Sequence, residues 1–330
     1  MPKVVVLGSN AFSGQDFVDL LLEATDFSVI GISRSAEKPS PFLRYRSRPD
    51  LKRFTFHQAD MNRDADALLG LLDREKPEYI VNFAAQSEVA PSWEYPEQWF
   101  ETNTVALARM VNHLRRRDYL RRYLHVSSPE AYGNCIGTVD EKTPDNPSTP
   151  YAASKAAADM LLNVYCRQYQ FPLITVRATN VYGARQQLFK IIPRSVIYMK
   201  QGKTIELHGG GHAVKSYIHV RDVSTGELAM LLKGRVGERY HLSPDLGIAV
   251  RDVVRIIAEH LGKRFEDVTK IGAERPGQDA AYVIDSTKAR TELGWAPRIA
   301  LEAGLREVTD WVEKYWETIR GMNLDYVHKA

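Results

Sequence analysis

Tyr151 and Lys155, in the run Tyr151-Ala152-Ala153-Ser154-Lys155, are the residues best suited to acid–base chemistry. On a helix, a spacing of four puts both side chains on one face, a turn apart. A phenol ionises near pH ~10 in water, and a neighbouring ammonium favours the phenolate. The pair is therefore expected to take a proton from an alcohol. Just upstream, Ser127-Ser128-Pro129-Glu130 adds a hydroxyl and a carboxylate. Ser128 can share a hydrogen bond with the same alcohol, and Glu130 can act as a base at a neighbouring carbon. A Tyr-x-x-x-Lys pair alone often marks nothing more than an exposed helix. The serines and the acid, at this distance along the chain, give it chemical meaning.

Proton removal from an alcohol is productive when a hydride acceptor stands beside it, and the N-terminal region offers a place for one. Gly8-Ser9-Asn10-Ala11-Phe12-Ser13-Gly14 lies between an apolar run, Lys3–Leu7, and a stretch with helical periodicity. Small residues in such a turn let backbone N–H groups and a helix N-terminus meet a pyrophosphate. Gly8, Ser9, Asn10, Ala11, Phe12, Ser13 and Gly14 are thus expected to hold a dinucleotide, against the plainer reading of a tight turn. The next apolar run ends in Ile32-Ser33-Arg34-Ser35, with no acid before Glu37. A carboxylate here would accept the ribose 2′-hydroxyl of NAD, whereas an arginine suits a 2′-phosphate. Ser33 and Arg34 therefore favour NADP, with NAD possible. Asp60 is expected near the adenine amino group beside Met61, and Phe83, Ala84 and Ala85 against the cofactor.

The elements that must position these residues follow from periodicity. Residues 3–7, 27–32, 53–58, 79–83, 123–126 and 173–177 read as strands. Residues 14–24, 64–74, 102–117 and 151–169 read as helices, and 38–50 as a polar, Pro-rich loop. This alternation predicts an α/β fold, a Rossmann-type doubly wound parallel sheet. Beyond Tyr182 the rhythm loosens into short strands at 204–208, 216–219 and 238–242, with helices at 250–261 and 302–315. Residues 1–182 are expected to form the NAD(P)-binding domain, with the catalytic residues inside it. Residues 183–330 are expected to form mainly a smaller, mixed substrate-binding lobe, with some chain returning to the first domain. The last dozen residues carry little pattern.

Taken together, the chain resembles the extended short-chain dehydrogenase/reductases of the nucleotide-sugar epimerase and dehydratase group, over nearly its whole length. Asn82-Phe83-Ala84-Ala85-Gln86-Ser87 and Ser92-Trp93 are similar to GDP-mannose 4,6-dehydratases. Arg177-Ala178-Thr179-Asn180-Val181-Tyr182-Gly183 resembles the segment that holds the substrate diphosphate in the wider group. Arg275-Pro276-Gly277-Gln278-Asp279, with Asp285, Lys288 and Leu293-Gly294-Trp295, resembles the C-terminal lobe of dTDP-glucose 4,6-dehydratases.

The resemblance implies catalysis by Ser128, Glu130, Tyr151 and Lys155, the last two also touching the cofactor. It implies substrate contacts from Ser87, Ser128, Asn180, Lys190, His208, Lys215 and Arg275. Among these Lys190, Lys215 and Arg275 would meet the diphosphate, and His208 reads equally as a base contact or a strand-end residue. The implied substrate is GDP-mannose or a dTDP-, UDP- or CDP-hexose. The implied reaction is loss of water with internal hydride transfer from carbon 4 to carbon 6, and the cofactor stays tightly bound and is regenerated each turnover. Epimerases of the group generally have a small apolar residue at the position of Glu130, so the acid argues for elimination. UDP-glucuronate decarboxylases also carry a glutamate, which leaves decarboxylation, 4-epimerisation and a non-catalytic nucleotide-binding role as alternatives. Two positions depart from the pattern. Ala11 stands where the group has a glycine, and Pro129 where dTDP-glucose dehydratases have an aspartic acid; GDP-mannose dehydratases also lack that acid.

Composition narrows the classes further. The chain has 330 residues, 44 Lys+Arg against 41 Asp+Glu, and a formal charge of +3, which gives no reason to expect a nucleic-acid partner. Arg115-Arg116-Arg117 and Arg121-Arg122 flank a helix end and read as solvated surface. No apolar run approaches the ~20 residues of a membrane span. Two cysteines make no disulfide framework, so a cytoplasmic location is expected. Nine histidines without ligand spacing give no metal site. Met160, Leu161 and Val164 read as core or as the interface of a homodimer or dimer of dimers, because members of the group usually pair through this helix.

Overall fold

The computed structural model describes residues 1–49, 51–135, 137–273 and 283–329. The first strand, β1 (Lys3–Leu7), shows why the sheet is buried on both faces. Val4 and Val6 enter one apolar cluster, while Val5 and Leu7 enter another on the opposite side. A strand with no polar alternation needs helices on both faces, as parallel sheets have. Helix α1 (Phe12–Ala24) covers one side with Phe17, Val18 and Leu21. Strands β2 (Ser28–Ser33) and β3 (Phe54–Gln58), helix α2 (Ala65–Glu75) and strand β4 (Tyr79–Asn82) continue the alternation. Short helices α3 (Val89–Glu94) and α4 (Pro96–Phe100) lead through a π-helical stretch, Glu101–Ala106, into α5 (Leu107–Leu114). Then come β5 (Arg122–Val126), α6 (Pro150–Tyr169), β6 (Leu173–Ala178) and β7 (Asn180–Tyr182).

The remaining strands are β8 (Ile205–His208), β9 (Val214–Lys215), β10 (Tyr217–His219), β11 (Arg239–Leu242), β12 (Ile248–Ala249) and β13 (Thr269–Gly272). The main sheet has seven strands in the order β3-β2-β1-β4-β5-β6-β11, all pairs parallel. The strand order reverses between β1 and β4, and at such a point the carboxyl ends of the strands leave a crevice for a ligand. β11 lies in this sheet beside β6, although its sequence position put it with the looser second half. Helix α8 (Val220–Lys233), just before it, packs through Val223, Met230 and Leu231 on the same apolar cluster as α1. The other short strands pair as β10–β7, β13–β8 and β12–β9. Helices α7 (Ile191–Lys200), α9 (Val250–His260) and α12 (Leu301–Lys314) share a separate core with Val196, Ile257, Val308 and Trp311.

Three segments differ from their sequence reading. The helix expected at 102–117 is interrupted by the π-helical stretch, within which Asn103 turns inward. Its side chain accepts from Gln86 N–H at 2.8 Å and donates to Gln86 O and Ser154 Oγ. A π-helical insertion of this kind is how a helix re-aims one polar side chain. The polar loop at 38–50 contains two 3-10 turns and is docked on α1: Arg48 bonds the buried Asp19 at 2.6 Å. Residues 324–329 lie back across the carboxyl ends of the sheet, where Lys329 O accepts from Gln86 Nε2 at 2.7 Å. Among the described residues no helix is long and apolar enough to cross a membrane.

Candidate active site

The turn after β1 is shaped by close backbone approach. Gly8 has φ +80°, and a Cβ there would stand 2.8 Å from Ala84 N. A Cβ at Gly14 would stand 2.2 Å from the Gly8 carbonyl oxygen. Neither position admits a side chain, so the turn and the start of α1 stay flush against the end of β4. No side chain caps α1, whose N-terminus faces this turn. Here lies a groove of about 240 Å³, lined by Gly8, Asn10, Ala11, Ser33, Arg34, Asp60, Met61, Phe83, Ala84, Ala85 and Ser87. Ser9 is buried, its Oγ 3.5 Å from Ser33 Oγ. Phe12, Ser13 and Gly14 belong to α1, which begins two residues earlier than its sequence pattern indicated. The groove, the flush glycine turn and the uncapped helix end together fit a dinucleotide.

Asn10 fixes the loop after β2. Its Nδ2 donates to Ser35 O at 3.0 Å and Ala36 O at 2.9 Å, and its backbone N–H donates to Ser33 Oγ at 2.9 Å. Glu37, the first acid after β2, accepts from Tyr45 O–H at 2.7 Å and pairs with Arg46; it is not part of the groove wall. Asp60 Oδ1 accepts from the backbone N–H groups of Asn62 and Arg63 at 2.8 and 3.3 Å. Lys38, Asn62, Thr102 and Gln187 also line the groove. Sequence reading missed them because each comes from a different loop or helix and carries no motif.

The four residues expected to be catalytic come together where β5 and α6 meet. Thr149 caps α6 by accepting from Ala152 N–H at 3.1 Å, and Pro150 occupies the first turn. Tyr151 follows immediately, its N–H held by Ser92 Oγ at 3.2 Å. Ser128, two residues past the end of β5, caps a 3-10 turn, Pro129–Tyr132, by accepting from Glu130 N–H at 3.2 Å. The Ser128 hydroxyl lies near enough to the Tyr151 phenol to pull its ionisation down, and the Glu130 carboxylate near enough to push it up. Lys155 Nζ donates to Val126 O at 2.8 Å and sits 3.4 Å from His125 Nε2.

The Tyr151 phenol is pushed up from its usual range, by burial first and the Glu130 charge second. The spacing argument looked to the Lys155 ammonium to lower it; in this structure that ammonium donates to the Val126 carbonyl, and burial outweighs the lowering effect of the Ser128 hydroxyl. Burial also holds Lys155 down to about 8, while the Asp159 carboxylate works in the other direction. His125, wholly buried beside these cations, is held down to about 3 and is neutral at working pH.

Asp159 belongs to a buried ion network beneath the site. It accepts from Ser127 Oγ at 2.6 Å and from Arg177 Nη2 at 2.5 Å. Arg177 also donates to both carboxylate oxygens of Asp145, at 2.7 and 3.1 Å, and stacks on the Tyr132 ring at 4.1 Å. Its side chain is 0% exposed. Arg177, which opens the segment resembling a diphosphate binder, thus serves the interior.

A second cleft, of about 800 Å³, holds Lys190 and His208 with Phe189, Arg194, Tyr198 and Tyr326. Lys190 Nζ stands 2.8 Å from Glu88, and His208 Nδ1 is 3.0 Å from Ala273 O. Asn180 Nδ2 donates to Ser216 O at 3.3 Å. Lys215 lies on the two-residue strand β9 and is not among the cleft walls, while Ser87 lines the dinucleotide groove instead. Arg275 lies outside the described residues.

The family model described as GDP-mannose 4,6 dehydratase matches residues 5–308. The chain belongs to this family. It is 31% identical to dTDP-glucose 4,6-dehydratase of Mycolicibacterium smegmatis, over 96% of each chain. It is 29% identical to the Haemophilus influenzae protein of the same name, over 94% of this chain and 98% of that one. The crystal structure of DesIV, a dTDP-glucose 4,6-dehydratase from Streptomyces venezuelae with NAD bound, superposes with a TM-score of 0.85 at 30% identity. That match covers 94% of this chain and 97% of DesIV.

Within the 4,6-dehydratase family, the two departures of this chain have structural readings. Ala11 sits at φ −65° and ψ 156°, an extended conformation open to any residue, so its methyl imposes no strain. Pro129 opens the 3-10 turn that carries Glu130, where its fixed φ suits the first position. It contributes conformation there and no proton chemistry.

Proposed function

We propose that this member of the dehydratase family removes water from the hexose of a nucleoside diphosphate sugar to give the 4-keto-6-deoxy sugar. The observation that carries this reading is the convergence of Ser128, Glu130 and Tyr151 at the carboxyl edge of the sheet, next to the dinucleotide groove. Tyr151 takes the proton of the 4-hydroxyl, and Ser128 holds that oxygen. An oxidised nicotinamide, when bound, would supply the acceptor for hydride from carbon 4 and its donor to carbon 6, and its positive charge would favour the Tyr151 phenolate. A ketone at carbon 4 acidifies the hydrogen on carbon 5, and Glu130 removes that proton. The hydroxyl on carbon 6 leaves as water with that proton from Glu130; carbon 5 then takes one proton from solvent as hydride adds to carbon 6, and Tyr151 releases one to solvent. Glu130 carries both transfers because residue 129 is a proline.

NADP is the favoured cofactor. Arg34 lines the groove just after β2, and the nearest acid after that strand, Glu37, is engaged with Tyr45 and Arg46. DesIV was solved with NAD, so this chain would differ from that relative. dTDP-glucose is the first substrate to try, since the relatives above are named for it; GDP-mannose and the UDP- and CDP-hexoses follow. The sugar nucleotide would lie along the second cleft, past Lys190 and His208, with Asn180, Lys215 and Arg275 as further candidates. We assign residues 1–182 to the cofactor domain, and the rest mainly to the substrate lobe. Val105, Met160, Val164 and Tyr169 on the π-helical stretch and α6 are 53, 57, 50 and 45% exposed, which supports a homodimer through this face. Two cysteines, too few for a disulfide framework, agree with a cytoplasmic location.

A substrate deuterated at carbon 4 tests the reading. Internal hydride transfer predicts a product that has lost water and carries deuterium at carbon 6. Deuterium retained at carbon 4, or lost to solvent, would contradict it.

A further inference from the structure

The segment 324–329 crosses the mouths of both clefts and is anchored along its length. Asp325 pairs with Arg194 at 2.7 Å, and the Tyr326 ring meets Phe189 edge-on at 5.4 Å, on the wall of the nucleotide cleft. Arg34 and Glu88, one from each cleft, both act on the Tyr326 hydroxyl. The His328 ring stacks on Tyr95 at 5.0 Å and on Trp99 at 5.4 Å, and its Nε2 is 2.7 Å from Gln98 Oε1. Gln86 then holds the Lys329 carbonyl, and is itself held by Asn103.

These anchors deliver Lys329 to the adenosine end of the cofactor groove. Lys329, Arg34 and Arg63 line a recess of about 350 Å³ with Ser35 and Asp60. Arg34, Ser35 and Asp60 also line the dinucleotide groove, so the recess opens directly from it. Lys38, on the groove wall, is near enough for the Lys329 charge to act on its own. Three cations around one carboxylate, with that carboxylate already accepting two backbone N–H groups, make a site for a doubly charged anion. The ribose 2′-phosphate is the anion a dinucleotide would bring to this place.

We propose that Lys329 is a cofactor-specificity residue: residues 324–328 form a strap that holds its ammonium against the 2′-phosphate of NADP. The inference rests on the NADP reading above and extends it. Lys329 is exposed, so its replacement leaves the core intact. His328 acts as a positioning residue, because its ring stacking fixes the strap without adding charge to the recess.

The test is calorimetric titration of the full-length, cofactor-free protein with NADP+ and, separately, NAD+. The native protein should bind NADP+ more tightly. Lys329→Ala should weaken NADP+ binding about tenfold, the loss of one charge-assisted bond, and NAD+ binding by less than about twofold. Lys329→Arg should keep the preference, and His328→Ala should reduce it in the same direction. Equal weakening for both cofactors, or none, in Lys329→Ala would overturn the role of Lys329 while leaving the NADP reading intact. A preference for NAD+ in the native protein would instead overturn the NADP reading, and this inference with it.

Discussion

Arg177 donates to Asp159 at 2.5 Å with both side chains buried, and Asp159 lies beside the His125–Lys155 pair. The charge that supports the Lys155 ammonium therefore comes from inside the protein, from a carboxylate itself held ionised by an arginine. Asp159 is kept below the usual carboxylate range even though burial works against it, with Arg177 the largest of the opposing effects.

This arrangement sets the alkaline side of the pH profile. Lys155 is charged below about 8 and loses its proton above it. kcat/KM, which reports ionisations in the free enzyme, should therefore fall as pH rises through about 8. The Asp159 charge raises the lysine, so Asp159→Asn should move the alkaline limb to lower pH. A profile whose limb does not move would separate Asp159 from Lys155.

Glu130→Gln keeps the shape of the side chain and removes the base. Turnover should drop by ~10²–10⁴, the usual worth of a general acid–base group. Oxidation at carbon 4 should survive, visible as reduced-nicotinamide absorbance on adding substrate. Unchanged turnover would remove Glu130 from the chemistry.

Arg177→Met should act on stability. It takes the nearest arginine from Asp145 and Asp159, leaving Arg239 at 3.8 and 4.0 Å, and breaking a buried pair by removing one partner costs ~3–5 kcal/mol. Urea denaturation reads this directly. By contrast, Lys190→Ala should raise KM for the sugar nucleotide with no comparable loss of stability. An Arg177 variant of native stability would show that the buried network is not what Arg177 serves.

Two glycines should behave oppositely. Gly14→Ala drives a methyl to 2.2 Å from the Gly8 carbonyl and should abolish cofactor retention on purification. Gly70 sits exposed inside α2, where a Cβ meets nothing within 4 Å. Gly70→Ala should therefore stabilise the protein by ~0.5–1 kcal/mol. Cofactor content after gel filtration and thermal melts distinguish the two.

Local pattern made the sheet and the catalytic helix readable. Val4–Leu7 is apolar at every position because both faces are covered, and the run 151–169 carries the helical pattern that the structure realises as α6. What escaped the sequence is set by distant pairing. β11 joins the main sheet through parallel contacts with β6, which no nearby residue announces. Asp16 and Asp19 are buried on α1 because Arg44, Arg48 and Arg221 converge on them from other segments, so the 38–50 loop packs where its polarity indicated solvent. The segment that Arg177 opens resembled a diphosphate binder, and a buried arginine and an exposed one read alike in sequence. The strap at 324–329 is fastened by single rings and one carbonyl, which leave no periodicity to detect.

The most direct test of the central claim is mass spectrometry of the purified protein incubated with GDP-mannose, dTDP-glucose, CDP-glucose, UDP-glucose, UDP-N-acetylglucosamine and UDP-glucuronate. Loss of one water from a member of this panel, in the native protein and not in Glu130→Gln, is the predicted result. Loss of carbon dioxide from the glucuronate, or a new isomer of unchanged mass, would contradict it.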